Sequence, residues 1–168
     1  ELKNKVVIVT GAAGGIGQVI SQEFALAGAT VVLTSRNEEA LQETEKKLAG
    51  SSTFSIQTDI TKPDSVENLI TAAVSEFGHI DVIINNAGGG VMPCEPEDTS
   101  YEDWVRMIDV NLTGTFNCCM AAGKQMIKQC SGKIINISST AGTKGNPGLI
   151  HYSAAKAGIL SLSSNLAY

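Results

Sequence analysis

The chain predicts an α/β protein of one domain, built on a doubly wound parallel sheet with helices on both faces. Three observations predict it. Short β-branched runs alternate with longer segments of helical periodicity. The runs are apolar throughout, as in strands buried on both faces, and strand–helix–strand units of this kind close by right-handed crossovers. Finally, 168 residues with 43% hydrophobic and 17% charged side chains suit one domain with a substantial core.

The elements follow in order. The first strand covers residues 6–10, VVIVT, and the helix after it 15–27, with Ile16, Ile20 and Phe24 at i, i+4 and i+8. A strand at 30–34 precedes a helix at 38–48, and one at 53–58 precedes a helix at 64–77. The fourth strand is 81–85. The glycine- and proline-rich stretch 88–100 that follows predicts a loop. One long helix is expected over 101–129, entered at Thr99 with Glu102 three residues on, the spacing of a capping box. A fifth strand at 133–138 and a helix from about His151 complete the pattern, a Rossmann-like fold whose ligands bind beyond the carboxyl ends of the strands.

Composition narrows the function. A net charge of −5 removes any general attraction to nucleic acid, and no apolar run has the length of a membrane span. The start lacks a signal-peptide pattern. Cys94, Cys118, Cys119 and Cys130 form no CxxC pair, and His79 and His151 have no visible partner of the nucleophile–base type. No metal site is expected, and the thiols suit a reducing cytoplasm. His151 is read either as a pocket-lining residue or as a solvent-facing loop histidine.

After the first strand comes TGAAGGIG, Thr10 to Gly17. Its glycines permit a tight turn and close backbone approach, and the helix beyond presents free N–H groups to a pyrophosphate. At the end of the second strand, where a carboxylate would hold a ribose 2′-hydroxyl, stand Ser35 and Arg36. A guanidinium suits a 2′-phosphate, so NADP(H) is favoured over NAD(H).

Six motifs in order then resemble the classical short-chain dehydrogenase/reductase family. They are the TGxxxGxG turn, Asp59 in TDIT, NNAG at 85–88, Asn111 in DVNLTG, INISS ending at Ser139, and YSAAK at 152–156. The resemblance implies a catalytic set of Asn111, Ser139, Tyr152 and Lys156. The family places its serine thirteen residues before the tyrosine, which selects Ser139 over Ser138. Asn111 is expected to distort its helix and hold a water of a proton relay. Asp59 is expected to contact the adenine, and NNAG to steady the sheet and line the cleft. The implied cofactor-binding set is Thr10, Gly11, Gly15, Ile16, Gly17, Ser35, Arg36, Asp59, Ile60, Asn86, Ala87, Gly88, Tyr152 and Lys156.

The chemistry supports that set. A free tyrosine titrates near about pH 10, and a neighbouring ammonium favours the phenolate. Tyr152 and Lys156 stand at i and i+4, on one helical face. The reaction implied is NADP(H)-dependent interconversion of a ketone and a secondary alcohol. A 3-oxoacyl-acyl-carrier-protein reductase type leads, with steroid, polyol and sugar dehydrogenases open beside it. In another class, a non-catalytic NADP-binding sensor or structural subunit and an inactive fragment also stay open. Members of the family are longer and continue beyond this helix with further strands and a substrate loop. The chain is therefore expected to be incomplete at its C-terminus, and a homodimer or homotetramer when full length.

Overall fold

The structure, a computed structural model, describes residues 2–89 and 93–167. Its strands are β1 (Val6–Thr10), β2 (Thr30–Ser35), β3 (Thr53–Gln57), β4 (Val82–Asn85) and β5 (Lys133–Asn136). All pair in parallel, in the order β3-β2-β1-β4-β5. The helices are α1 (Gly15–Leu26), α2 (Glu38–Lys47), α3 (Pro63–Phe77), α4 (Tyr101–Ile108), α5 (Gly114–Gln129) and α6 (Ile150–Leu166). Among the described residues no helix is long and apolar enough to cross a membrane.

Both faces of the sheet are covered at its central strands, and β1 shows how the sequence achieves this; at the edge strand β5, Ile135 is exposed. Val6 and Ile8 point into a core shared with Leu69 of α3 and Met126 of α5. Val7 and Val9 point the other way, into a core with Ala25 of α1 and Leu41 of α2. Every residue of β1 is buried and the run is continuously β-branched; its one polar side chain, Thr10, is tolerated because its hydroxyl is hydrogen-bonded. The strand order reverses between β1 and β4, which opens the crevice where ligands bind in such sheets.

Three expectations are corrected. The long helix begins one residue later in its capping than Thr99 implied. Ser100 is the cap, accepting the Asp103 N–H at 3.0 Å and donating to Asp103 Oδ2 at 2.8 Å. Serine with an acid three residues on repeats the same motif one step along the chain. The helix is also not continuous: Asp109–Thr113 form a π-helical turn between α4 and α5. Such a turn widens the backbone ring by one residue and displaces local hydrogen bonds. Third, His151 is no solvent-facing loop residue. It lies in the first turn of α6 with 1% of its surface exposed. Residues 90–92 of the expected loop over 88–100 lie outside the described residues, and among the rest Pro96–Asp98 form a 3₁₀ turn.

His79 has a structural partner and not a catalytic one. Its Nε2 lies 3.0 Å from Asp81, whose carboxylate also accepts from Lys5 Nζ at 2.8 Å and the Val6 N–H at 2.9 Å. This ties the start of β1 to the entry of β4. Partial burial pushes the Asp81 carboxyl up, but the bonds from Lys5 and Val6 and the nearby charges outweigh it and hold it below its ordinary range. A depressed carboxyl contributes stability above its unfolded pKa and loses it as pH falls through the folded one. Asp81→Asn is therefore expected to cost about 1–3 kcal/mol at pH 7. It should also flatten the acid limb of the urea midpoint below about pH 4, where the parent protein weakens.

Candidate active site

The turn after β1 is shaped by two glycines. Gly11 has φ +67°, a conformation open to glycine at little cost. A Cβ on Gly17 would run into the Gly11 carbonyl and come within 2.8 Å of Asn86 Nδ2. Asn86 fills the space so created and donates to the carbonyls of Thr10 at 3.0 Å and Gly11 at 3.4 Å. Thr10 is buried behind the turn. Its hydroxyl accepts the N–H groups of Asn86 at 3.0 Å and Ala87 at 2.9 Å and donates to the Ile84 carbonyl. Thr10, Gly17 and Asn86 thus brace the crevice from behind.

The crevice itself is a cleft of about 300 Å³ running from Gly11, Ala13 and Gly14 to Ser35 and Arg36, and across to Asp59, Ile60, Ala87 and Gly88. Thr34, Asn37, Ala40, Thr58, Thr61 and Val110 also line it, residues not among the expected binding set. Asn37 was legible as the residue before Glu38: it caps α2, accepting the Ala40 N–H at 3.0 Å. Gly14 begins α1 with no side-chain cap, which leaves the helix terminus to a ligand. Ile16, just beyond, is 68% exposed, an unusual position for an apolar side chain beside a cleft.

Asp59 accepts both the N–H of Thr61 at 3.0 Å and its hydroxyl at 2.8 Å. Partial burial pushes this carboxyl up, but the two Thr61 bonds, with the charges of Arg36 and Lys62, hold it below the ordinary carboxylate range. The cleft therefore carries one fixed anion at Asp59 and one exposed cation at Arg36. A small-residue turn, an open helix N-terminus and a cation at the end of β2 fit the adenosine and phosphate portion of a nicotinamide dinucleotide.

The four residues expected to be catalytic come from the π turn, the segment after β5 and α6. Asn111 sits in the π turn with no exposed surface. Its Nδ2 donates to the Met107 carbonyl at 3.2 Å, its Oδ1 accepts the Gly89 N–H at 3.3 Å, and its carbonyl accepts from Thr115 Oγ1 at 2.9 Å. Ser139 follows β5, and its Oγ accepts the Ala141 N–H at 3.2 Å. Tyr152 and Lys156 share a face of α6, the lysine nitrogen 5.6 Å from the centre of the tyrosine ring. Lys156 is 5% exposed, its Nζ donates to the Ile137 carbonyl at 2.9 Å, and burial pushes its ammonium below the ordinary lysine range.

Gly88 joins the cleft to two of these residues. It lines the cleft, and a Cβ there would lie 2.7 Å from Asn111 Oδ1 and 3.5 Å from Lys156 Nζ. The paired cysteines take no part. Burial pushes the Cys118 thiol up to about 12, and Cys119 is raised by burial too. Cys118 is a packing group, and Cys119 Sγ is bonded to Asn85 and Asn136 of neighbouring strands.

The family model described as short chain dehydrogenase matches residues 5–168. The chain belongs to the short-chain dehydrogenase family and is an oxidoreductase acting on CH–OH groups with NAD(P). It is 38% identical over 174 residues to a 3-oxoacyl-[acyl-carrier-protein] reductase of Synechocystis sp., covering 99% of this chain and 68% of that protein. An uncharacterized oxidoreductase of Staphylococcus epidermidis is 35% identical over 166 residues, covering 99% and 71%. The crystal structure of a short chain dehydrogenase from Bacillus anthracis superposes with a TM-score of 0.95 at 38% identity, over 99% of this chain and 70% of that one.

Proposed function

We propose that the protein reduces a ketone to a secondary alcohol with NADPH, and runs the reverse with NADP⁺. The observation that carries this is Gly88, whose bare Cα brings the cleft, Asn111 and Lys156 into one continuous site. Gly11, Gly14, Arg36 and Asp59 hold the dinucleotide, which when bound supplies the hydride at its nicotinamide. Tyr152 gives its hydroxyl proton to the alkoxide oxygen. Ser139 accepts the Ala141 N–H on a lone pair, which leaves its own O–H to donate to that same oxygen. The Lys156 charge stabilises negative charge as it develops on Tyr152. Burial makes the Lys156 proton easier to pass on; Lys156 hands it to the tyrosine and regains one from solvent through a water that Asn111, across from it past Gly88, would hold. A sensor or structural subunit has no use for a tyrosine and an ammonium so arranged.

The substrate class favoured is a 3-oxoacyl thioester on a carrier protein, supported by the similarity to the Synechocystis reductase. A panel containing a 3-oxoacyl thioester, a steroid ketone and a keto sugar, scored by NADPH oxidation, tests it. A steroid or sugar turned over faster than the thioester moves the assignment to that class. Arg36 carries the cofactor preference: its guanidinium at the cleft wall neutralises a 2′-phosphate. Arg36→Ala is expected to lower the NADPH-over-NADH ratio of kcat/KM by about 10–100-fold, or roughly 1.4–2.8 kcal/mol. An enzyme that prefers NADH, with that preference unmoved by the substitution, sinks the assignment.

The exposed apolar side chains of Tyr101, Trp104, Phe116 and Leu160 on α4, α5 and α6 support a homo-oligomer, dimer or tetramer. Four free cysteines support a reducing, cytoplasmic setting.

A further inference from the structure

Lys156 is bound at both ends by the same strand terminus. Its ammonium donates to the Ile137 carbonyl at 2.9 Å, and its main-chain carbonyl accepts from Ser138 Oγ at 2.8 Å. A third contact closes the arrangement. Thr140–Gly142 form a 3₁₀ turn whose last residue abuts the α6 backbone: a Cβ on Gly142 would lie 2.7 Å from Lys156 C and 2.8 Å from Ala157 N. Both neighbours are backbone atoms inside a helix and cannot swing aside. Residues 137, 138 and 142 thus grip one turn of α6, and Ser139 lies between them.

We infer that Ser138 and Gly142 are positioning residues of the reaction: they lock the backbone of α6 at Lys156 and so set the gap between Ser139 and the Tyr152–Lys156 pair. The inference rests on the catalytic reading of those three residues for its kinetic part alone. The Lys156 carbonyl is a mid-helix acceptor with a second lone pair, so Ser138 adds a bond and competes with none. Losing it leaves no buried charge and no cavity of consequence. What changes is how closely α6 is held to the end of β5. Reacting groups displaced by even a fraction of an ångström lose rate steeply, whereas binding determined by the cleft beyond Gly88 is untouched. The two serines therefore divide the work: Ser139 faces the reacting oxygen, and Ser138 holds the helix that carries the other two groups.

The experiment uses the full-length enzyme with Ser138→Ala, Ser138→Thr and Gly142→Ala, measuring kcat, KM for NADPH and ketone, and amide hydrogen exchange across residues 153–159. Ser138→Ala is expected to lower kcat about 10–100-fold with both KM values within about twofold, and to speed exchange in that turn about tenfold. Ser138→Thr, which keeps the hydroxyl, restores most of both. Gly142→Ala, which forces the turn off the helix, reproduces the kcat loss by a different route and covers the case of a poorly folded threonine variant. Parent-like kcat and exchange in Ser138→Ala overturn the inference, as does a loss confined to KM, which would place Ser138 on a ligand. Hydrogen exchange reads the grip in the absence of turnover. If Tyr152→Phe stays active while Ser138→Ala still loosens α6, the catalytic reading fails and the clamp stands.

Discussion

Tyr152→Phe is expected to lower kcat for ketone reduction by about 10²–10⁴-fold, the usual contribution of a placed proton donor. The substitution is close to a clean deletion. The ring keeps its place on α6, where Lys156 Nζ stands 5.6 Å from its centre, and only the hydroxyl is lost. Ser139 still offers a hydrogen bond to the substrate oxygen, so a residue of activity persists, but a neutral serine hydroxyl cannot release a proton at neutral pH. NADPH affinity, measured by fluorescence titration, should change by less than about threefold, since the cleft from Gly11 to Asp59 is built without Tyr152. A variant whose kcat stays within a few-fold of the parent rejects the mechanism. One that fails to bind NADPH instead assigns the tyrosine to cofactor placement.

The strands were legible because their signal is local. In β1, β2 and β4 the β-branched runs are buried on both faces, and the predicted bounds agree with the structure to within a residue. Pro63 illustrates a local rule left unused: proline at the first helical position starts α3 one residue earlier than the periodicity from Asp64 suggests. The π turn at 109–113 was beyond such rules. Its anchor, the Asn111 side chain, bonds to Gly89 from another loop as well as to Met107 one turn back, so tertiary contacts decide the backbone there. That Asn111 would disturb its helix came from the family pattern and not from propensity.

The site divides in the same way. Gly11 and Arg36 stand out from their types and positions along the chain, whereas Asp59 and the YxxxK pair gain meaning only beside the family's other motifs. Ser138 and Gly142 do neither, because their partner is the backbone at residue 156, and main-chain atoms leave no mark in a sequence. The sequence leaves His151 open between a pocket-lining and a solvent-facing place, and its burial removes the second. Its neighbour Tyr152 faces the site, and one step along a helix turns a side chain by about 100°. The imidazole therefore enters the packing that α6 shares with the rest of the fold, where its Nδ1 finds no partner.

Gly88→Ala is expected to damage chemistry, cofactor binding and stability together. The added carbon would stand 2.7 Å from Asn111 Oδ1, closer than carbon and oxygen pack, so one of the two must move. Asn111 is poorly able to do so. It has no exposed surface, its amide is bonded to Gly89 and Met107, and its carbonyl is occupied by Thr115. Displacing it breaks bonds at a π turn that already departs from ordinary helix geometry. If Gly88 moves instead, the cleft wall it forms moves with it. Either response damages proton return and cofactor fit together. The expected outcome is a fall in kcat of about 10²-fold, weaker NADPH binding, and a stability loss of about 1–3 kcal/mol. This joint loss separates Gly88 from the tyrosine: Tyr152→Phe spares affinity and stability, while Gly88→Ala impairs all three. Steady-state kinetics, NADPH titration and thermal melting of the two variants side by side make the comparison. Parent-like values for Gly88→Ala in all three would mean that the cleft and the Asn111–Lys156 pair are not one site, and the proposed reaction would lose the observation on which it stands.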